Sequence, residues 1–281
     1  MTQSVAALLR ARGLRPRKGL GQNFLTDPVA LGRIVAAADL SRSDLVVEVG
    51  AGAGTLTRLL AEQAGRVLAL EVDDHLVELL REQFSESDNV EVIHADVLRF
   101  SPSDLPEQDY KVVGNLPYYI TSAVLRRFLS GTPRPRLMVV TVQREVAERI
   151  VAEPGKMSLL AISVQFYGRP SIVARIPAGA FYPVPKVDSA VVRIDVGEQP
   201  GLRLGEGVDE TTFFRVVRAG FSQKRKKLRN SLGAGLALAP AEAAEALEQA
   251  GIDPGRRAET LSLEEWTGVA ESLHARGDVA Q

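Results

Sequence analysis

Apolar positions three and four apart over residues 27–38 predict an amphipathic helix, with Asp27 as its N-cap and Pro28 at the first helical position. Beyond it, short apolar runs alternate with further helical patterns. LVVEV (45–49), VLALE (67–71), VEVIHAD (90–96), YKVVGN (110–115) and RLMVVTV (136–142) predict strands. Residues 55–64, 74–84, 121–130 and a stretch from about Arg144 predict helices. Buried strands alternating with helices imply an α/β fold, a mostly parallel sheet covered on both faces. SIVARIP (171–177) and SAVVRIDV (189–196) predict strands that close the sheet. GEQPGLRLGEG (197–207) is Gly-rich and reads as a linker, and the Ala-rich remainder is helical in pattern. The expected organisation is a sheet domain at 1–200 and a small C-terminal α-helical domain at 201–281.

Composition narrows the chemistry. Among 281 residues, 45% are hydrophobic and 25% charged, which excludes wholesale disorder. The chain has no cysteine, so disulfides, Cys-built metal sites and a thiol nucleophile are excluded. His75, His94 and His274 do not cluster, so no metal is expected. No apolar run approaches the roughly 18 residues of a membrane span, and no signal peptide is legible. A cytoplasmic protein without membrane contact, working as a monomer, is expected.

The net charge of −1 hides an uneven distribution. Residues 1–26 carry Arg10, Arg12, Arg15, Arg17 and Lys18 and no acid. Residues 211–241 carry Arg215, Arg218, Lys224, Arg225, Lys226, Lys227 and Arg229 and no acid. An acidic body with two basic segments suggests a polyanion held at defined places; a solvated helix face is the alternative. The pattern predicts one helix over 213–232, with Phe214, Val217, Phe221 and Leu228 inward and Lys224, Arg225, Lys227 and Arg229 outward.

EVGAGAGTLT (48–57) follows a strand and opens a helix. Its glycines, Gly50 and Gly52 among them, allow a sharp turn and close approach to a ligand. Thr55 and Thr57 stand where the dinucleotide fingerprint needs glycine, which disfavours a pyrophosphate. Glu71, at the second strand tip, is placed to accept from both ribose hydroxyls of a nucleoside, and Asp96, at the third, from an adenine amino group. Solvated loop acids are the alternative. GNLPYYI (114–120) ends the fourth strand at the same sheet edge. The Asn115 amide oxygen and a carbonyl near Pro117 can accept from one amino group, and Tyr118 offers a flat face to a base. An Asn-Pro turn with a core tyrosine would look similar.

With these motifs the chain resembles the KsgA-type ribosomal RNA adenine N(6),N(6)-dimethyltransferases. The likeness extends through GQNFL (21–25), HADVL (94–98), FYPVPKVDSAVV (181–192), AGFSQKRKKLRNSL (219–232) and GIDPGRRAETLSLEEW (251–266). It implies a Rossmann-like class I methyltransferase sheet using S-adenosylmethionine. It implies that Asn23, Leu25, Gly50, Gly52, Glu71, Asp96 and Asn115 hold the methyl donor and that Tyr118 and Phe181 sandwich the target adenine. Lys186, on the Pro-stiffened loop FYPVPKV, and Lys224, Arg225, Lys227 and Arg229, on the basic segment, are the expected RNA contacts, and the resemblance places a cation at Lys224. The implied substrate is a pair of adjacent adenosines in the 3′-terminal hairpin loop of small-subunit rRNA, presented by the immature subunit. Phe181 as a core anchor stays open, as do a large-subunit substrate and a non-catalytic assembly factor. An NAD-dependent oxidoreductase is disfavoured by Thr55 and Thr57.

Overall fold

A computed structural model describes residues 4–197 and 204–279. The chain forms two compact units, residues 1–148 with 169–197, and 149–168 with 198–281. Residues 149–168 thus belong with the second unit and not with the sheet domain expected at 1–200. Part of the expected linker, 198–203, lies outside the described residues.

The first unit opens with helix α1 (Val5–Ala11) and strand β1 (Phe24–Leu25). Helix α2 (Pro28–Ala38) starts as its sequence predicts, with the Asp27 side chain accepting from the Ala30 N–H at 2.7 Å. There follow β2 (Leu45–Val49), α3 (Thr55–Ala61), β3 (Arg66–Glu71), α4 (Asp74–Gln83), β4 (Val90–His94), β5 (Tyr110–Asn115), α5 (Thr121–Leu129), β6 (Leu137–Gln143) and α6 (Arg144–Ile150). After α7 (Leu159–Gln165) come β7 (Gly168–Ile176), β8 (Phe181–Tyr182) and β9 (Ser189–Val196).

Seven strands form one sheet in the order β4-β3-β2-β5-β6-β9-β7. The pairs among β4, β3, β2, β5 and β6 are parallel, and β9 runs antiparallel to β6. Every residue of β2 is buried, which is why it reads as an unbroken apolar run around Glu48. Chain order reverses between β2 and β5, so a crevice opens at their carboxyl ends. The opposite ends are tied by ions. Lys111, 5% exposed, donates to the Ala38 carbonyl at 2.9 Å, to the Asp39 carbonyl, and to Asp44 Oδ2 at 3.1 Å. Asp44 also pairs with Arg136 and accepts from the Ser41 N–H at 2.6 Å.

β1 and β8 form a separate antiparallel ribbon, Leu25 opposite Phe181 and Phe24 opposite Tyr182. Side chains alternate along strands, so Leu25 and Phe181 share one face and Phe24 and Tyr182 the other.

In the second unit, α7 joins α8 (Glu210–Phe221), α9 (Leu228–Leu236), α10 (Pro240–Gln249) and α11 (Leu263–Ala275). Their core gathers Ala161, Ile162, Phe213, Val217, Leu232 and Trp266. The single helix expected over 213–232 is in fact two. The Leu228 N–H donates to the Arg256 carbonyl at 2.7 Å instead of a carbonyl one turn back, so a tertiary bond starts a new helix there. Phe213 and Val216 are fully buried, whereas Phe214 and Phe221 are only partly so, which shifts the expected inward stripe. Lys224 to Lys227 occupy an exposed turn between the helices, and Arg229 lies in the first turn of α9. None of Lys224, Arg225, Lys226, Lys227 and Arg229 forms a salt bridge among the described residues. In the first basic segment, by contrast, Arg12 pairs with Glu82 and Arg17 with Asp73 at 3.3 Å.

Candidate active site

The tips of β2, β3 and β5, the turn after β4 and the segment 20–24 enclose a cavity of about 300 Å³. Gly50, Gly52, Glu71, Asp96, Asn115, Pro117 and Tyr118, separated in sequence, all line it. Asn23 joins them from the N-terminal strap.

The glycine turn is built from left-handed backbone, with φ of 73° at Gly50, 59° at Gly52 and 78° at Gly54. At Gly52 a Cβ would also come within 3.1 Å of the Phe24 ring. The turn is held from below by Glu71. Its Oε2 accepts from the Gly52 N–H at 2.8 Å, and its Oε1 accepts from the N–H groups of Val72 and Asp73 at 2.9 and 3.0 Å. Burial raises the Glu71 pKa, against these three donors, which favour the carboxylate. Oε1 already accepts twice, so Oε2, which accepts once, is the oxygen that keeps acceptor capacity for a ligand hydroxyl.

Glu71→Ala is expected to weaken donor binding by one to two decades, the loss of charged hydrogen bonds at roughly 1.5–3 kcal/mol. It should also lower the melting temperature, because three N–H groups lose their acceptor. Calorimetric titration with S-adenosylmethionine, run beside a thermal melt, reads both; donor affinity equal to wild type removes Glu71 from the site.

Two residues down from Gly50, Glu48 is 1% exposed, and burial pushes its carboxyl up to about 8. That burial and the charge of Glu71 both disfavour a second negative charge on the floor of the turn. Asp96 is more open, with its Oδ1 accepting from the Leu98 N–H at 2.9 Å.

Asn115 is oriented by the strap. Its Nδ2 donates to the Asn23 carbonyl at 2.7 Å, which leaves Oδ1 as the free acceptor of the amide. The Asn23 side chain in turn donates to the Gly21 carbonyl at 3.1 Å. Gln22 anchors the strap by donating to Asp73 Oδ2 at 2.9 Å. Of the carbonyls near Pro117, that of Pro117 itself accepts from the Ile120 N–H at 3.1 Å and the Thr121 hydroxyl at 3.4 Å. Leu116, one residue earlier, also lines the cavity. Tyr118 is half-buried, its hydroxyl 2.8 Å from that of the buried Ser189. Burial raises the phenol pKa, with the Ser189 hydrogen bond acting the other way.

Phe181 does not line the cavity, and Leu25 lines a smaller adjoining pocket with Gly50, Gly52 and Asn115. Leu25 and Phe181, 5% and 2% exposed, face each other into the core. The ribbon register is the reason: Phe24, on the other face from Leu25, lines the cavity instead. Phe181 packs in the core, which supports its reading as a core anchor. Lys186 is exposed, in the loop between β8 and β9. Sequence reasoning also missed Phe24 and Ser189. Strand alternation in GQNFL carries a signal for Phe24 only once its partner strand is known; Ser189 has none.

Residues 13–275 match the family model described as ribosomal RNA adenine dimethylase. The chain is 52% identical over 255 residues to a ribosomal RNA small subunit methyltransferase A of Dehalococcoides mccartyi (strain CBDB1), covering 90% of this chain and 87% of that one. The structure resembles that of the 23S rRNA methyltransferase ErmE, with a TM-score of 0.70, 31% identity and coverage of 90% of this chain and 100% of the other. It resembles a dimethyladenosine transferase from Plasmodium falciparum with a TM-score of 0.78, 25% identity and coverage of 90% and 98%. The family model spans the elements that build the cavity, and the chain belongs to the ribosomal RNA adenine dimethylase family.

Proposed function

We propose that this chain transfers methyl groups from S-adenosylmethionine to the N(6) amino group of two adjacent adenosines in the 3′-terminal hairpin loop of small-subunit rRNA, acting in the cytoplasm on the immature subunit. The observation that carries the reading is the amide of Asn115, fixed through Nδ2 on the Asn23 carbonyl so that Oδ1 is left to accept. An adenine amino group is a poor nucleophile because its lone pair is delocalised into the ring. Asn115 Oδ1 and a backbone carbonyl near Pro117 accept one N–H each, which favours a pyramidal nitrogen and spreads the positive charge that develops there. The donor, when bound, supplies a methyl group already activated on a sulfonium. Gly50, Gly52, Glu71 and Asp96 are the residues that would hold it. Tyr118 gives the target base a face to stack on, which offsets part of the cost of leaving its own stack. No side-chain base is assigned; the N(6) proton passes to solvent after transfer.

The small subunit is favoured over the large by the relatives: one named for the small subunit is 52% identical, against 31% for the 23S enzyme. Mapping tritiated methyl transfer on immature small subunits and on large subunits tests this. Label only in large-subunit rRNA overturns the substrate, and label in neither leaves a non-catalytic assembly factor.

The basic turn of the second unit is proposed to contact RNA phosphates. Replacing Lys224, Arg225 and Lys227 together by Gln should weaken subunit binding and flatten the slope of log affinity against log salt by about two units, at roughly 0.7–0.9 per phosphate contact. Donor binding should not change. Filter binding across a salt series reads this, and an unaltered slope leaves the turn as solvated surface.

A further inference from the structure

Tyr118 and Tyr119 are consecutive, yet their environments differ sharply. Tyr118 is half-buried and its hydroxyl is tied to Ser189. Tyr119 lines the same cavity and is 64% exposed, among the most exposed large hydrophobic side chains in the chain. A single exposed tyrosine is ordinary. This one is held in place. It sits in the short 3-10 turn Tyr118–Ile120, which the Ile120 N–H closes onto the Pro117 carbonyl at 3.1 Å. Its ring rests on Gly21, whose φ of 62° lies in the left-handed region. A Cβ at position 21 would stand 3.2 Å from both Cδ1 and Cε1 of the ring, so the absence of a side chain there is what lets the ring lie against the strap. The outer part of the ring stays bare to solvent.

The strap beneath carries positive charge. Gly21 ends a second 3-10 turn, Lys18–Leu20, its N–H donating to the Lys18 carbonyl at 3.0 Å, and Lys18 is exposed with no acid paired to it among the described residues. A supported aromatic face at the mouth of a base-binding cavity, with a cation on the same strap, matches a nucleotide: a base on the ring and a phosphate near the ammonium.

We propose that Tyr119 is a second stacking surface, at the mouth of the pocket, for the nucleobase next to the target adenine. This rests on the reading that the target base enters the cavity. One base is then held within, against Tyr118, while its neighbour is kept splayed on Tyr119. For a substrate of two adjacent adenosines, the ring would hold the waiting adenine while the other is methylated. A π-face serves any base, so the contact sets strand geometry and not sequence.

Steady-state methylation of immature small subunits by Tyr119→Phe, Tyr119→Leu and Tyr119→Ala tests the proposal. Stacking needs the ring and not the hydroxyl. Tyr119→Phe is expected within two-fold of wild type, whereas Tyr119→Leu and Tyr119→Ala should lose roughly ten-fold or more in kcat/KM, mostly through KM. Donor affinity by calorimetry should be unchanged in all three. Tyr119→Ala equal to wild type overturns the proposal. So does Tyr119→Phe as impaired as Tyr119→Ala, which would make the hydroxyl the working group, and so does a weakened donor, which would make Tyr119 part of the donor wall. A binding arm needs no turnover and keeps failure of this contact distinct from failure of the proposed activity. The chain has one tryptophan, Trp266, fully buried. Tyr119→Trp adds an exposed indole whose emission hexa-adenylate should quench, while the same titration of wild type leaves Trp266 unchanged. No quenching overturns the proposal even if wild type methylates subunits.

Discussion

Asn115→Ala is expected to slow single-turnover methyl transfer by about two to three orders of magnitude, the usual cost of removing one preorganised polar partner of a developing charge. RNA binding should change far less, because the acceptor acts most strongly as charge builds on the amino nitrogen. The geometry sharpens this. The Nδ2–H of Asn115 is spent on the Asn23 carbonyl at 2.7 Å, so the side chain is a donor to the strap and an acceptor toward the substrate at once. Asn115→Asp keeps the size and the acceptors but loses that donor and sets a carboxylate against a carbonyl. It should therefore be impaired almost as severely as Asn115→Ala. If the role were acceptance alone, Asn115→Asp would stay near wild type. Donor affinity is measured separately for each variant, since the strap also borders the donor cavity. Rates matching wild type at saturating donor and RNA sink the assignment of Asn115.

The sheet, its strand tips and the glycine turn were legible because each depends on residues close in sequence. LVVEV is buried throughout and reads as continuous apolar; the glycine turn needs left-handed backbone that its own residues supply. Glu71, Asp96 and Asn115 could be placed because a parallel sheet puts its strand tips on one edge. What failed depends on partners far away. Phe181 reads as a site residue, but its inward direction follows from a ribbon register that joins the two ends of the sheet unit. The single helix over 213–232 failed for a like reason, since the Arg256 carbonyl that takes the Leu228 N–H lies beyond α10. Residues 149–168 were misassigned because the apolar face of α7 does not announce which core it enters; Ala161 and Ile162 pack with Phe213 and Trp266. Lys111 carried no signal at all, lying within a strand pattern whose neighbours are apolar.

Lys111→Met should destabilise the folded chain by about 3–5 kcal/mol at pH 7, the range for removing one partner of a buried ion pair. The substitution keeps the length of the side chain, so packing loss is small and the effect is electrostatic. It strands the carbonyls of Ala38 and Asp39 and leaves Asp44, 4% exposed, with Arg136 and Ser41 as its remaining partners. Those partners place the expected value toward the lower end. The dependence on pH separates this from a packing defect. Burial pulls the Asp44 pKa upward, but the Ser41 N–H and Lys111 outweigh it, and the native pKa lies below the ordinary carboxylate value. A depressed native pKa contributes stability that is present above the unfolded value and is lost as pH falls through the native one. In Lys111→Met that contribution is already diminished, so the gap to wild type should narrow as acid protonates Asp44 in both proteins. Denaturant unfolding at pH 7 and at successively lower pH reads the gap directly. A gap under about 1 kcal/mol at pH 7, or one that stays constant into acid, removes the ion pair as its cause. Lys111 lies near the start of β5 and Asn115 at its end, so donor affinity of the folded variant should match wild type. A weakened donor in Lys111→Met would mean that the two ends of the strand are coupled and that the ion cluster helps to set the position of the cavity wall.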